Sequence, residues 1–177
     1  TCAAFGGVTA GGANPTEACG LQFDGTRAGG LLGEGYRSQA GLPVVNVAGC
    51  PTHPNWVLDT LMALARSELA ASDLDDYRRP RMYADQLVHH GCPRNEYYEY
   101  KASARHASDL GCMMEHLGCL GTQAHGDCNI RPWNGEGSCT RGGYASINCT
   151  APETAFLGRD FTHSVSVTNV GDGMSMD

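Results

Sequence analysis

The sequence predicts an α/β segment up to about residue 88, followed over 89–177 by an irregular segment of loops and short helices that binds metal. Two observations carry this. A β-branched apolar run ending in Gly49-Cys50-Pro51 precedes a stretch of helical periodicity, the order of a buried strand leading into a helix. Downstream, His89, Cys92, Cys112, Cys119, Cys128, Cys139 and Cys149 stand at spacings x2, x19, x6, x8, x10 and x9. The segments between them, such as Trp133-Asn-Gly-Glu-Gly-Ser-Cys139, are glycine-rich and bury too little apolar surface to hold themselves together. Thiolates and an imidazole are the donors used by a soft metal or an iron–sulfur cluster, and such a group would tie these segments.

Taken in order, residues 1–20 carry glycines at 6, 7, 11 and 12 and read as a tight loop, and 21–41 as mostly loop. Val44, Val45 and Val47 predict a short buried parallel strand. Pro51 and Pro54, with Thr52 as cap, open a helix over 55–69. Its apolar stripe of Val57, Leu61 and Leu64, widened by Leu58, Met62, Ala65 and Leu69, reads as core. Asp73, Asp75 and Asp76 read as a solvated loop. A last strand is expected over 81–88, then a helix opened by Pro93 through about 102, and a turn or two of helix over 110–117. This layout sets Cys50 at the carboxyl end of a parallel strand, where open α/β sheets bind ligands. Cys2, ahead of its own glycine turn, is a second such case.

The net charge of −7 and the absence of a basic patch argue against nucleic acid as the main partner. No apolar run reaches 18 residues, so no membrane span is expected. The chain begins at Thr1 without a methionine, and any targeting segment is expected upstream. For the cysteines an iron–sulfur cluster is the leading reading. A structural zinc site is the first rival, although the sequence has only one short pair, His89-x2-Cys92, where zinc modules usually carry two knuckles. Disulfides are the second, disfavoured by nine cysteines, an odd count. Cys19 reads as a small buried hydrophobe. His53, His90, His106, His116 and His125 read as surface polar groups or groups behind a ligand. Asn148-Cys-Thr150 matches a glycosylation sequon but is better read as part of the metal motif.

Several motifs occur in one order: Thr1-Cys-Ala-Ala-Phe-Gly-Gly7, Asn14-Pro-Thr16, Val45-Asn-Val-Ala-Gly-Cys-Pro-Thr-His-Pro54, His89-His-Gly-Cys-Pro-Arg94, Cys119-Leu-Gly121, Trp133-Asn134 and Cys149-Thr-Ala-Pro152. Together they resemble the small subunit of nickel–iron hydrogenases, to about residue 155. Cys112-Met-Met-Glu-His-Leu-Gly-Cys119 and Gly135-Glu-Gly-Ser-Cys-Thr-Arg-Gly-Gly-Tyr144 look most like the cytoplasmic, hydrogen-sensing subgroup.

The resemblance implies that 1–88 is the C-terminal part of a flavodoxin-like, parallel-sheet domain for a proximal [4Fe-4S] cluster, and that 89–177 holds distal and medial clusters. Cys2 and Cys50 match two of the four proximal ligands. His89, Cys92, Cys112 and Cys119 match all four ligands of a distal [4Fe-4S] cluster. Cys128, Cys139 and Cys149 match medial positions, and Ser146 stands where the family has a further cysteine, leaving a [4Fe-4S] or [3Fe-4S] form open. Leu120 replaces a common lysine. The family's N-terminal Cys-x2-Cys is missing, so an N-terminally truncated subunit is expected. The implied role is electron relay from a nickel–iron centre held only by an obligate partner large subunit. Two alternatives are a hydrogen-sensing subunit that signals to a protein partner such as a kinase, and a zinc-stabilised interaction module. A cytoplasmic setting, and a redox acceptor as further partner, go with the resemblance.

Overall fold

The structure, a computed structural model, describes residues 1–152 of the 177. The tail over 156–177, which carries no motif, lies outside the described residues. Regular structure is sparse. Helix α1 (Cys2–Phe5) leads into a 3-10 turn, Gly7–Ala10. Strands β1 (Phe23–Asp24) and β2 (Arg27–Ala28) pair antiparallel, with Phe23 opposite Ala28. Helix α2 (Pro54–Ala65) is the longest element, and α3 (Arg81–Ala84), α4 (Asn95–Glu99) and α5 (Met114–Leu117) are single turns.

Two small cores hold these pieces. In the first, Phe5, Phe23 and Tyr77 meet edge-on or tilted around Ala4 and Ala48, with ring centroids 5.7–6.2 Å apart. Chain crossings here are tight: a Cβ on Gly20 would stand 1.9 Å from the Ala4 carbonyl oxygen. In the second, Trp56 lies flat on Tyr83 at 4.1 Å, with Ala84, Val47 and Cys128 around the pair. Burial pushes the Tyr83 phenol far up, so it stays a neutral donor to the Asn46 carbonyl at 3.2 Å.

Several expectations are corrected. Residues 44–47 form no strand: the Val44 amide donates to Gln22 Oε1 and the Asn46 amide to the Arg78 carbonyl, so side-chain and loop partners take the place of a ladder. Among the described residues the β1–β2 pair makes up the sheet, and it is antiparallel rather than parallel. Within 81–88 no strand forms: residues 81–84 are helix α3, whose first turn bonds back to the Pro80 carbonyl, and the chain then leads into the 3-10 turn Val88–Gly91. The helices around 93–102 and 110–117 are shorter than their patterns suggested, at Asn95–Glu99 and Met114–Leu117.

The largest correction concerns α2. It starts at Pro54, ends at Ala65, and is capped by His53, whose Nδ1 accepts from the Asn55 amide; Thr52 instead donates to the Val47 carbonyl. Its buried residues are Trp56 and Thr60, while Val57, Leu58, Leu61, Met62 and Leu64 are exposed. Periodicity identified an apolar face but not what covers it.

Candidate metal centre

The four residues matched to the distal position come together. His89, Cys92, Cys112 and Cys119 line one narrow cavity, joined by Val88, Arg94, Met113 and Gly121. Local hydrogen bonds explain the convergence. The His89 amide donates to the Gly121 carbonyl at 3.0 Å, and the Cys92 amide to the His89 carbonyl at 3.1 Å, which fixes the His-x2-Cys turn against the 121 loop. Cys112 is held by Ala102 and Ala104 through amide–carbonyl bonds of 2.8 and 2.9 Å. That approach needs Gly111, whose Cβ would lie 2.6 Å from the Ala104 nitrogen. Helix α5 ends at Gly118 in the left-handed region, φ 68°, and the reversal turns Cys119 back toward the cavity.

Two side chains that the sequence did not single out support this set. Arg94 donates through Nη1 to the Asp109 and Gly111 carbonyls, at 3.1 and 2.7 Å, tying the His89–Cys92 turn to the segment that carries Cys112. The Tyr98 ring meets the His89 imidazole edge-on at 4.6 Å. Nothing in the run Arg94-Asn-Glu-Tyr-Tyr98 signals that contact, since Tyr97 and Tyr98 are alike in the sequence.

The medial set also converges. Cys128, Cys139, Cys149 and Ser146 line a second cavity of about 310 Å3. Trp56 forms part of its wall, and Val88 and Thr140 line both cavities. Asn129, buried, braces the wall: its Nδ2 donates to the Val88 carbonyl at 2.7 Å, and its Oδ1 accepts from Thr140 and Ser138. Behind the wall, Asp127 accepts from Trp56 Nε1 and from Arg131 Nε, both at 2.6 Å, and Arg131 reaches on to Asp59 at 2.6 Å. His53, expected near the surface or behind a ligand, is buried; its Nε2 is 2.9 Å from the Arg131 carbonyl. His125 Nδ1 lies 2.6 Å from the Ala84 carbonyl, while His90, His106 and His116 sit on the outside. Thr150 is buried and Asn148 Oδ1 is enclosed, so the sequon is not presented as a glycosylation site.

The two residues matched to the proximal position are both exposed. Cys2 opens α1, and a Cβ on Gly7 would stand 2.8 Å from its Sγ, so a side chain there would crowd the thiol. Cys50 lines the medial cavity beside Cys149, a neighbour that the sequence did not suggest. The N-terminal amine, 3.1 Å from the Gly49 carbonyl, and the Thr1 hydroxyl, donating to the Cys149 carbonyl, draw these loops together. Cys19 is half-buried, as a small packing residue would be.

Burial pushes the Cys128 thiol up to about 12 and raises Cys119 and Cys149, each with further contributions from neighbouring cysteines. Metal ligation needs the thiolate, so loading these cavities releases protons. Among the described residues no three His, Cys, Asp or Glu side chains close around a single ion. The donors instead line cavities, and the ligands of a multi-iron cluster each bind a different iron. By donor chemistry the distal set fits such a cluster, and the medial set fits with three thiols and a hydroxyl. Cys2 and Cys50 alone complete no site.

Residues 84–162 match the family model for the C-terminal region of the NiFe/NiFeSe hydrogenase small subunit, and residues 1–64 match that of the NADH ubiquinone oxidoreductase 20 Kd subunit. The chain is 37% identical over 164 residues to the F420 non-reducing hydrogenase II small subunit of Methanosarcina mazei, covering 85% of this chain and 41% of that protein. It is 32% identical over 161 residues to the periplasmic [NiFeSe] hydrogenase small subunit of Desulfomicrobium baculatum, covering 86% and 47%. An actinobacterial-type NiFe-hydrogenase structure from Ralstonia eutropha aligns with a TM-score of 0.78 at 29% identity, over 100% of this chain and 56% of that one. The chain thus spans about half the length of the curated relatives it matches. Over most of its length the chain is thus similar to nickel–iron hydrogenase small subunits.

Proposed function

We propose that this chain is the electron-relay part of a nickel–iron hydrogenase small subunit and holds iron–sulfur clusters at the distal and medial positions. The convergence of His89, Cys92, Cys112 and Cys119 on one cavity carries the reading. A bound cluster supplies one-electron uptake and release. The polypeptide would hold it, exclude water with Val88 and Met113, and donate the Ser146 amide to the Cys119 sulfur. Neutral His89 in place of a thiolate makes the distal site less negative and favours its reduced form. Hydrogen would be split at a nickel–iron centre on a partner large subunit, and such a partner would cover the exposed apolar face of α2. Residues 1–88 would belong to a flavodoxin-like proximal-cluster domain; the match of 1–64 to one family model and 84–162 to another supports a division near residue 88. The hydrogen-sensing reading rests on sequence likeness alone.

Iron and acid-labile sulfide analysis of the purified complex tests this reading. Iron together with acid-labile sulfide and a visible thiolate-to-iron band is expected; zinc without sulfide would overturn it.

The medial site yields a second expectation. An alcohol is rarely ionised near neutral pH and is a harder donor than thiolate, so Ser146 binds iron weakly. Cys128, Cys139 and Cys149 then offer three thiolates, the requirement of a three-iron cluster. Oxidised protein is expected to show the paramagnetic three-iron signal, and Ser146→Cys to replace it with a stable four-iron cluster. A full medial cluster with no three-iron signal in the oxidised wild type would contradict this.

A further inference from the structure

Ser146 belongs to the medial cavity by its side chain and to the distal site by its backbone. It is buried, it lines the medial cavity, and its amide donates to Cys119 Sγ at 3.2 Å. Its carbonyl accepts from the Leu120 amide at 2.7 Å, one residue beyond that ligand. The contact is therefore a two-point clasp on the Cys119–Leu120 peptide, made by one residue that lies 27 positions beyond Cys119 in the chain. Gly121 packs beside it: a Cβ there would lie 3.5 Å from Cys119 Sγ and 3.8 Å from Ser146 Cβ, ordinary van der Waals contact with both. Ser146 is the donor that comes from the medial side.

We propose that Ser146 is a positioning residue that couples the two cluster sites: its amide hydrogen bond withdraws charge from the Cys119 sulfur and raises the potential of the distal site, and a change of ligation at residue 146 on the medial side is felt at the distal side. This rests on the proposed cluster-binding function. An N–H donor to a cluster thiolate stabilises the more negative, reduced state, so its loss or lengthening shifts the couple to more negative potential. When residue 146 is drawn toward iron in the medial cavity, as in Ser146→Cys, the clasp on Cys119–Leu120 moves with it. A residue that served the medial site alone would leave the distal couple unchanged.

The test uses the iron-loaded protein in its native complex, with the distal centre followed by electron paramagnetic resonance. Protein labelled with 15N-serine is expected to show a 15N hyperfine coupling at the reduced distal centre, distinct from that of the His89 ring. Ser146→Ala, which keeps the amide, should lose that coupling under serine labelling and regain it under 15N-alanine labelling. In a redox titration Ser146→Cys is expected to change the distal reduction equilibrium about tenfold, which for a one-electron couple is about 59 mV, while Ser146→Ala stays near the wild type. Distal cluster signals with no serine-derived coupling, or an unmoved distal potential in Ser146→Cys, would overturn the coupling and leave the cluster-binding function standing. Absence of any iron–sulfur signal would overturn both.

Discussion

Trp56→Ala is expected to destabilise the protein by about 3–5 kcal/mol, the range for removing a large buried aromatic, and to strip the medial site of its cluster. Trp56 is 2% exposed and serves two structures at once. On one side it stacks on Tyr83 at 4.1 Å and on His53 at 5.2 Å, linking α2 to α3 and to the cap of its own helix. On the other it walls the medial cavity and packs with Cys128. Its Nε1–H also holds Asp127, whose side chain is 7% exposed and otherwise rests on Arg131. Truncation thus leaves a cavity and removes one of two partners from a buried carboxylate, and both losses act in the same direction. Trp56→Phe separates them: it keeps most of the stack and should cost only about 1–3 kcal/mol, the penalty for a lost hydrogen bond to a charged group. The measurement is chemical denaturation followed by near-ultraviolet circular dichroism, with the medial signal recorded in parallel. An alanine variant within about 1 kcal/mol of wild type would show that this stack is not what joins the helix to the metal half.

The sequence made the donors legible because ligand chemistry is written in residue type and order. His89, Cys92, Cys112 and Cys119 were grouped by their resemblance to the nickel–iron hydrogenase small subunit, and the structure brings them to one cavity. Helix α2 was legible too, since Pro54 in its first turn and a 3.6-residue pattern announce it. Its orientation was not. A stripe of Val57, Leu58, Leu61, Met62 and Leu64 has the same period whether it meets the chain's own core or another surface. Trp56 and Thr60, the residues that are buried, do not stand out as a stripe. The run at 44–47 read as a strand from β-branched composition, yet a strand exists only with a neighbour, and here its amides find Gln22 Oε1 and the Arg78 carbonyl. The contacts between sites were illegible for a related reason. Ser146 on Cys119, and Cys50 beside Cys149, join positions whose separation in sequence carries no period or motif.

Removing the iron is expected to unravel residues 89–152 while the smaller cores of the first half persist. The asymmetry lies in what each half buries. Phe5, Phe23, Trp56, Tyr83 and their neighbours form both apolar cores, and apart from Cys128 every member lies before residue 89. In 89–152 the buried residues are mostly small or polar: Ala104, Ala124, Asp127, Asn129, Thr140, Ser146, Thr150 and Ala151, with Met113 the one large apolar side chain among them. Only α4 and α5, of five and four residues, provide α-helix there, and helices so short are not stable by themselves. What remains to offset the chain entropy of this half is metal–ligand binding, which for structural metal sites is on the order of 10 kcal/mol and is then folding free energy. Burial keeps Cys119, Cys128 and Cys149 as neutral thiols, so rebinding metal must displace their protons. Limited trypsin digestion of loaded and chelator-treated protein reads the difference. Cleavage at Arg94, Lys101, Arg105 and Arg141 should accelerate about tenfold or more on iron removal, because proteolysis follows the population of open forms. Arg78, half-buried in the first half with its guanidinium 5.2 Å from the Phe23 ring centre, should stay protected. Equal protection of both halves after iron removal would mean that the loops of 89–152 hold together by their own hydrogen bonds, and that the metal is a passenger in a fold already made.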